Sequence, residues 1–414
     1  MPSGTLQVYT ALAENAAPLP GVTVLVLNEA GTQIARLTTN DVGSAPELVL
    51  TAPDEAYSLD EANTTVRPYA VYQLRAEMTG FQTIELEGVQ VFAGQQTVAR
   101  LQFLPAARTL PEVEPETIPE HPLFAGDGGS GPAPIGRCAD ARVLSEVVVP
   151  KKITVHLARP AVNAANVTVS FQDYIANVAS SEVYPTWPEQ ALRANILAQI
   201  SLALNRIWTE WYPSRGYSFN ITGSPGYDQA YVNGRTVFAV MERLTAELFN
   251  TFVQRSGDAE PYFTEYCDGK TVTCPGMKQW GTVDRAREGL NALQILRYYY
   301  GNRVQLVTTN NIAAIPSSYP GSPLRRGSTG TNVRILQKQL SRIAKDYPSF
   351  GKPAVTGTFD EATENSVKKF QKQFSLTADG VVGRPTWNKV SFIYVSVKDL
   401  AELTSAVSYT HLRA

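Results

Sequence analysis

Histidine and cysteine are both scarce in these 414 residues, with three of each. Cys138, Cys267 and Cys274 are too few for a disulfide framework. His121, His156 and His411 leave little material for a zinc enzyme whose metal is held by histidine and carboxylate. Charged residues make up only 18% of the chain and the formal net charge is -2, which argues against nucleic-acid binding driven by overall charge. No run of about 20 apolar residues is present, so no membrane-spanning helix is expected. The opening Met1-Pro-Ser-Gly-Thr-Leu-Gln-Val lacks a basic stretch followed by an apolar core, so no signal peptide is expected.

What is present divides into segments of different character. Residues 1–105 carry 4 Lys/Arg against 11 Asp/Glu and read as short strands punctuated by glycine. Leu6 to Tyr9, Val22 to Leu27, Tyr69 to Glu77 and Val98 to Phe103 are the clearest, and their spacing predicts a small antiparallel β-sandwich. Residues 106–146 are rich in Pro, Gly and Glu and read as a linker. Residues 147–312 combine strand-like Ile153 to Leu157 and Val167 to Phe171 with helical patterns, an α+β mixture. Leu192, Ile196, Ile200, Leu204, Ile207 and Trp211 form one stripe of a long helix with Pro188 at its first position. Further helices are expected from Val237 to Arg255 and from Val283 to Tyr300, the latter stopped by Gly301. Residues 323–392 form a compact helical module that is basic, with 12 Lys/Arg against 5 Asp/Glu between 324 and 392. Residues 406–414 read as a non-native tail.

The residues best suited to chemistry lie around Glu182. It sits in Val178-Ala-Ser-Ser-Glu-Val-Tyr-Pro-Thr-Trp-Pro188, read as a loop entering the long helix. Tyr184 and Trp187 offer aromatic faces for sugar rings, and apolar neighbours raise a carboxyl pKa toward that of a general acid. A glutamate before a helix is more commonly a surface or capping residue. Asp173, Glu189 and Asp228 are candidate second carboxylates, each better explained structurally, and Glu189 by the helix dipole. Cys267 and Cys274 are open to three readings: metal ligands, a disulfide, or buried thiols. No third metal ligand stands out, so no metal or cofactor is expected.

Tyr174-Ile-Ala-Asn-Val-Ala-Ser-Ser-Glu182-Val-Tyr-Pro-Thr-Trp-Pro-Glu189-Gln-Ala-Leu-Arg-Ala resembles the opening motif of stage II sporulation protein D (SpoIID) domains. Pro275-Gly-Met-Lys-Gln279-Trp280-Gly281, followed by Ile295-Leu-Arg-Tyr-Tyr-Tyr-Gly301, resembles their closing motif. The resemblance implies a lytic transglycosylase acting on peptidoglycan, with Glu182 as acid/base and Tyr184, Trp187, Gln279 and Trp280 lining the glycan groove. Val272-Thr-Cys-Pro stands where the family carries a histidine, so no role passes from that residue. This variant is similar to the germination-specific spore cortex-lytic enzymes (the SleC subgroup), over nearly the whole chain. That similarity implies a precursor located in the spore and activated by a germination protease near Val147-Val-Val-Pro150. The strand pattern of residues 1–105 resembles transthyretin-like, carboxypeptidase-regulatory-like domains. Leu324-Arg-Arg-Gly-Ser-Thr-Gly330 through Leu376…Asp379-Gly-Val-Val-Gly383-Arg-Pro-Thr386-Trp387 resembles the three-helix peptidoglycan-binding domain. There Asp379, Gly380, Gly383, Thr386 and Trp387 are the marked positions. Expected partners are therefore peptidoglycan strands and an activating protease, with neither nucleic acid nor membrane. Two other readings stand beside the transglycosylase: an N-acetylmuramoyl-L-alanine amidase and a non-catalytic wall-binding protein.

Overall fold

The computed structural model describes residues 1–106, 115–125, 144 and 146–398. Cys138, His411, much of the 106–146 linker and the 406–414 tail lie outside the described residues.

The N-terminal region is a two-sheet sandwich. Alternate residues of Ser3–Leu12 and Thr23–Asn28 point inward, so Leu6, Val8, Val24 and Val26 meet Leu74, Leu86, Leu101 and Phe103 in one core. One sheet orders Gln33–Thr38, Thr23–Asn28, Ala70–Glu77, Ile84–Val91 and Glu116–Thr117. The other orders Leu48–Thr51, Ser3–Leu12, Gln96–Phe103 and, at its edge, Val237–Phe238 from the middle region. The expectation of a purely antiparallel sandwich is corrected: Ser3–Leu12 runs parallel to Gln96–Phe103. A strand following the long excursion through the second sheet can return in the parallel sense, as a tight hairpin cannot.

Part of the expected linker is folded. Glu116–Thr117 adds to the sandwich beside Ile84–Val91, and Ile118, His121 and Leu123 are buried. Gly88, at φ +77°, makes room for this strand, since a Cβ there would sit 2.1 Å from the Ile118 carbonyl oxygen.

The middle region is α+β as expected. Asn166–Ser170, Lys152–His156 and Ile221–Thr222 form a three-stranded sheet. His156 is packed, stacked 4.6 Å from the Phe219 ring. The long helix, Glu189–Trp208, is buried on nearly every side, so apolar residues extend well beyond one stripe. Pro188 is its N-cap rather than its first helical residue, and Trp211 lies past its end. The helix expected from Val237 to Arg255 is Ala239–Leu248 followed by the strand Thr251–Arg255, which pairs with Val304–Thr308. The helix expected from Val283 to Tyr300 is two, Gln279–Arg287 and Ala292–Tyr300. Gly289 adopts φ +86° between them, and Asn291 opens the second with a capping box to Gln294.

Val149–Pro150 pairs in parallel with Ile312–Ala313 and is buried. Cleavage within Val148-Val149-Pro150 is therefore blocked in the folded chain, whereas Glu146 is exposed.

The C-terminal module has the three expected helices, Thr331–Ile343, Glu361–Gln373 and Arg384–Val397, around Val333, Leu336, Leu340, Val367 and Phe370. Two glutamines each clamp a turn in the same way. Gln337 accepts from the Gly357 amide and donates to Thr363 Oγ1; Gln371 accepts from the Gly380 amide and donates to Thr386 Oγ1.

A candidate active site around Glu182

Glu182 is the last residue of a helix, Phe171–Glu182, and not part of a loop. The sequence reading missed this helix because its first turn follows a strand directly, with Ser170 as N-cap accepting from the Asp173 amide. Ten of its twelve residues are buried. The helix therefore carries Glu182 inward as a fixed group, 7% exposed.

Three donors converge on this carboxylate. The Ala230 amide donates to Oε1 at 2.8 Å, while Gln199 Nε2 and the Tyr266 hydroxyl each donate to Oε2 at 2.7 Å. Each donor is itself held. Asn177 makes two hydrogen bonds to the backbone of Val232, fixing the segment that presents the Ala230 amide. Gln229 accepts from the Tyr174 hydroxyl and donates to both the Gln199 carbonyl and the Tyr266 oxygen. Tyr266 rides on a short strand paired with Met277–Lys278, where the Glu265 carbonyl packs against Gly276 so closely that a Cβ would lie 2.0 Å away. Cys267 and Cys274 are joined in a disulfide that closes the loop next to this strand, which resolves their three readings.

Burial pushes the Glu182 carboxyl up to about 7, opposed by the Ala230, Tyr266 and Gln199 hydrogen bonds. A carboxyl with that pKa holds its proton near neutrality and can also give it up, as a general acid/base must.

The other carboxylates are committed elsewhere. Asp228 pairs with the buried Arg206 at 2.6 Å and accepts from Thr222. Glu189 pairs with Arg193 and Arg243 near the surface. Asp173 accepts from the Ser170 hydroxyl in the helix cap. Among the described residues no group of three or more His, Cys, Asp or Glu comes together as a metal site.

Tyr184, Trp187 and Trp280 form one cluster, with ring centres 6.1 Å, 6.0 Å and 4.8 Å apart in its three pairs. Gln279 is buried next to Trp280 in the chain. The expectation that these residues line an open groove is corrected for the intact chain, because all four are buried. The N-terminal region covers them. Phe92 lies 5.4 Å and His121 4.6 Å from the Tyr184 ring. Trp187 Nε1 donates to the Ser58 carbonyl at 3.1 Å, and the Ser58 and Thr186 hydroxyls are 2.7 Å apart. Lys270 donates to the Glu61 carbonyl, Arg287 to that of Leu59, and Arg100 pairs with Glu242.

Gln199, Gln229, Asn177 and Tyr266 were not singled out from the sequence. Asn195 and Gln199 did carry a signal: amides inside an otherwise apolar helix must find buried partners. In the C-terminal module Asp379 accepts from Gln371 and the Val381 amide, Gly380 takes φ +77°, and Gly383 caps the last helix. Thr386 and Trp387 are buried, and Trp387 Nε1 donates to Ser318 at the joint with the middle region. These five positions thus shape the module, Asp379 and Gly380 as residues of its turn.

Residues 329–390 match the family described as "Putative peptidoglycan binding domain". The C-terminal module is a peptidoglycan-binding domain. The chain is also 37% identical over 82 residues to the zinc D-Ala-D-Ala carboxypeptidase of Streptomyces albus G, covering 19% of this chain and 31% of that protein. It is 28% identical over 166 residues to the N-acetylmuramoyl-L-alanine amidase CwlL of Bacillus licheniformis, covering 40% and 43%. The chain thus spans less than half the length of each of these relatives. Among solved structures, Klebsiella pneumoniae 5-hydroxyisourate hydrolase is 19% identical with a TM-score of 0.16, covering 25% of this chain and 94% of that one. The peptidoglycan-binding domain begins just after the segment around Ser318, which is anchored to Glu210 of the middle region.

Proposed function

We propose that the chain is the precursor of a lytic transglycosylase that cleaves the glycan strands of spore-cortex peptidoglycan, with Glu182 as the single acid/base. The observation that carries this reading is the buried Glu182 carboxyl, raised to about 7 and held by three donors, with each neighbouring candidate carboxylate engaged elsewhere. Two-carboxylate glycosidases place their pair roughly 5–9.5 Å apart. A transglycosylase needs one group. Glu182 gives its proton to the glycosidic oxygen as the bond from muramic C1 breaks. The carboxylate so formed then takes the proton of the muramic C6 hydroxyl as that oxygen closes on C1, leaving a 1,6-anhydro end and restoring the acid.

The N-terminal sandwich keeps this site covered until a protease cuts between it and Val147. Support comes from the buried aromatic cluster, whose cover is built from Ser58, Phe92 and His121. The location in the spore and the germination protease rest on the family resemblance of the sequence.

Similarity to the amidase CwlL favours a second reading, cleavage of the amide between muramic acid and the stem peptide. Mass spectrometry of products released from cortex by the proteolytically activated chain, beside its Glu182→Gln form, separates the readings. Anhydro-muramic ends that vanish in Glu182→Gln are expected. Free stem peptides would establish the amidase, and reducing glycan ends a hydrolase.

A further inference from the structure

The seam between the middle region and the peptidoglycan-binding domain holds a groove of about 510 Å³, a size that takes a small ligand. Arg215 contributes from the middle region, and Leu376, Arg384, Asn388, Lys389 and Phe392 from the peptidoglycan-binding domain. Neither domain forms it alone.

The chemistry of the lining is one-sided. Arg215 donates to the Trp211 carbonyl, and its guanidinium lies 3.6 Å from the Trp211 ring centre and 4.3 Å from that of Phe392. Its Nη2 is buried and has no hydrogen-bond partner among the described residues. Arg384 stands over the Tyr319 ring at 4.7 Å, and Lys389 Nζ over Phe392 at 5.5 Å. None of the three cations makes an ion pair with a described carboxylate. Glu210, the acid that feels Arg384, is already engaged by the Ser318 amide and hydroxyl. Burial, with the neighbouring Arg206 charge, pushes Arg215 down to about 9. Beside these charges Leu376, Pro385 and Phe392 supply an apolar wall.

We infer that this groove is a subsite for the carboxylate-bearing peptide stem of a muramoyl peptide, read jointly by Arg384 and Lys389 of the peptidoglycan-binding domain and Arg215 of the middle region. The sugars of a muramoyl peptide are neutral, because the lactyl carboxyl of the muramic acid is taken up in the amide to the peptide, so the sugars leave three cations unanswered. A stem peptide brings both a carboxylate and the methyl groups that fit the apolar wall. Guanidinium and ammonium groups take carboxylates through charge-assisted hydrogen bonds. The inference rests on the peptidoglycan-binding match and is independent of the reaction assigned to Glu182.

The test is calorimetric titration of the full chain with N-acetylmuramoyl-L-alanyl-D-isoglutamine, which has no glycosidic bond between sugars for the chain to cut. Arg384 is exposed and Lys389 half-buried, so the Arg384→Gln/Lys389→Gln chain should fold, and an unchanged melting temperature checks this. The muramoyl peptide should bind, roughly tenfold more weakly to the double variant and more weakly in about 0.5 M salt. Neutral chitotetraose should bind both forms equally. Absence of muramoyl peptide binding, equal binding to both forms, or equal preference for chitotetraose would overturn the inference. Tighter binding of poly(glycerol phosphate) would overturn it in favour of a phosphate polymer.

Discussion

Ser58 accepts a hydrogen bond from the indole of Trp187, five residues beyond Glu182, across a separation of 129 residues. The contact ties the N-terminal sandwich to the aromatic cluster beside the acid. Cover and site are therefore one packed unit, and their separation is a measurable event.

Loosening the cover without cutting the chain should raise basal activity. Lys270→Ala, Arg287→Ala and Arg100→Ala each remove one contact between the sandwich and the middle region without touching Glu182 or its donors. Exposed contacts of this kind contribute roughly 0.2–1 kcal/mol each. The triple variant should release anhydro products several-fold faster than the uncut parent in a dye-release assay on cortex. A variant as silent as the parent would indicate that the cover does not open by this route.

The pH profile should follow Glu182. In the proposed mechanism Glu182 must be protonated to act, so kcat/KM of the activated chain should fall as pH rises through about 7. The Tyr266 hydrogen bond lowers that pKa, so Tyr266→Phe should move the alkaline limb upward by about one unit. A limb that moves down, or stays, would assign the titration to another group.

Stability should carry the same signature. The folded-state pKa of Glu182 is raised, so the favourable neutral form is fully present below the unfolded value of about 4.5 and is lost as pH rises through about 7. Replacing the acid by an amide removes this dependence. The stability of Glu182→Gln relative to the parent should therefore increase by roughly 3 kcal/mol between about pH 4 and pH 8. Denaturant midpoints at the two pH values measure it.

Reduction of the Cys267–Cys274 disulfide frees a short loop next to Tyr266. Closing so small a ring contributes about 2 kcal/mol by chain entropy. Dithiothreitol, or Cys274→Ser, should lower the melting temperature by several degrees.

The legible parts of the fold were those where pattern and burial coincide. Strands such as Thr23–Asn28 alternate cleanly, and Val333, Leu336 and Leu340 mark one helical face. The Glu182 motif itself was legible, but its support was not. Gln199, Gln229 and Asn177 come from three segments and acquire meaning only when the chain brings their amides together. Ile118 and His121 stand in a Pro- and Glu-rich stretch whose composition speaks for solvent, and the space over Gly88, with Tyr69 and Tyr184, lets that stretch pack. The middle helices were read too long because strand Thr251–Arg255 and the Gly289 break share the apolar spacing of the helices around them.

The two-residue ladder between Val149–Pro150 and Ile312–Ala313 sets how the molecule bears load. The chain enters and leaves the middle region at neighbouring points on one edge. When the peptidoglycan-binding domain is anchored in a cross-linked wall and the sandwich is pulled away, tension runs from one tether to the other across that short ladder. A pull that lifts the sandwich is felt also at the seam, where Ser58 meets Trp187 and Val237–Phe238 pairs with Gln96–Phe103.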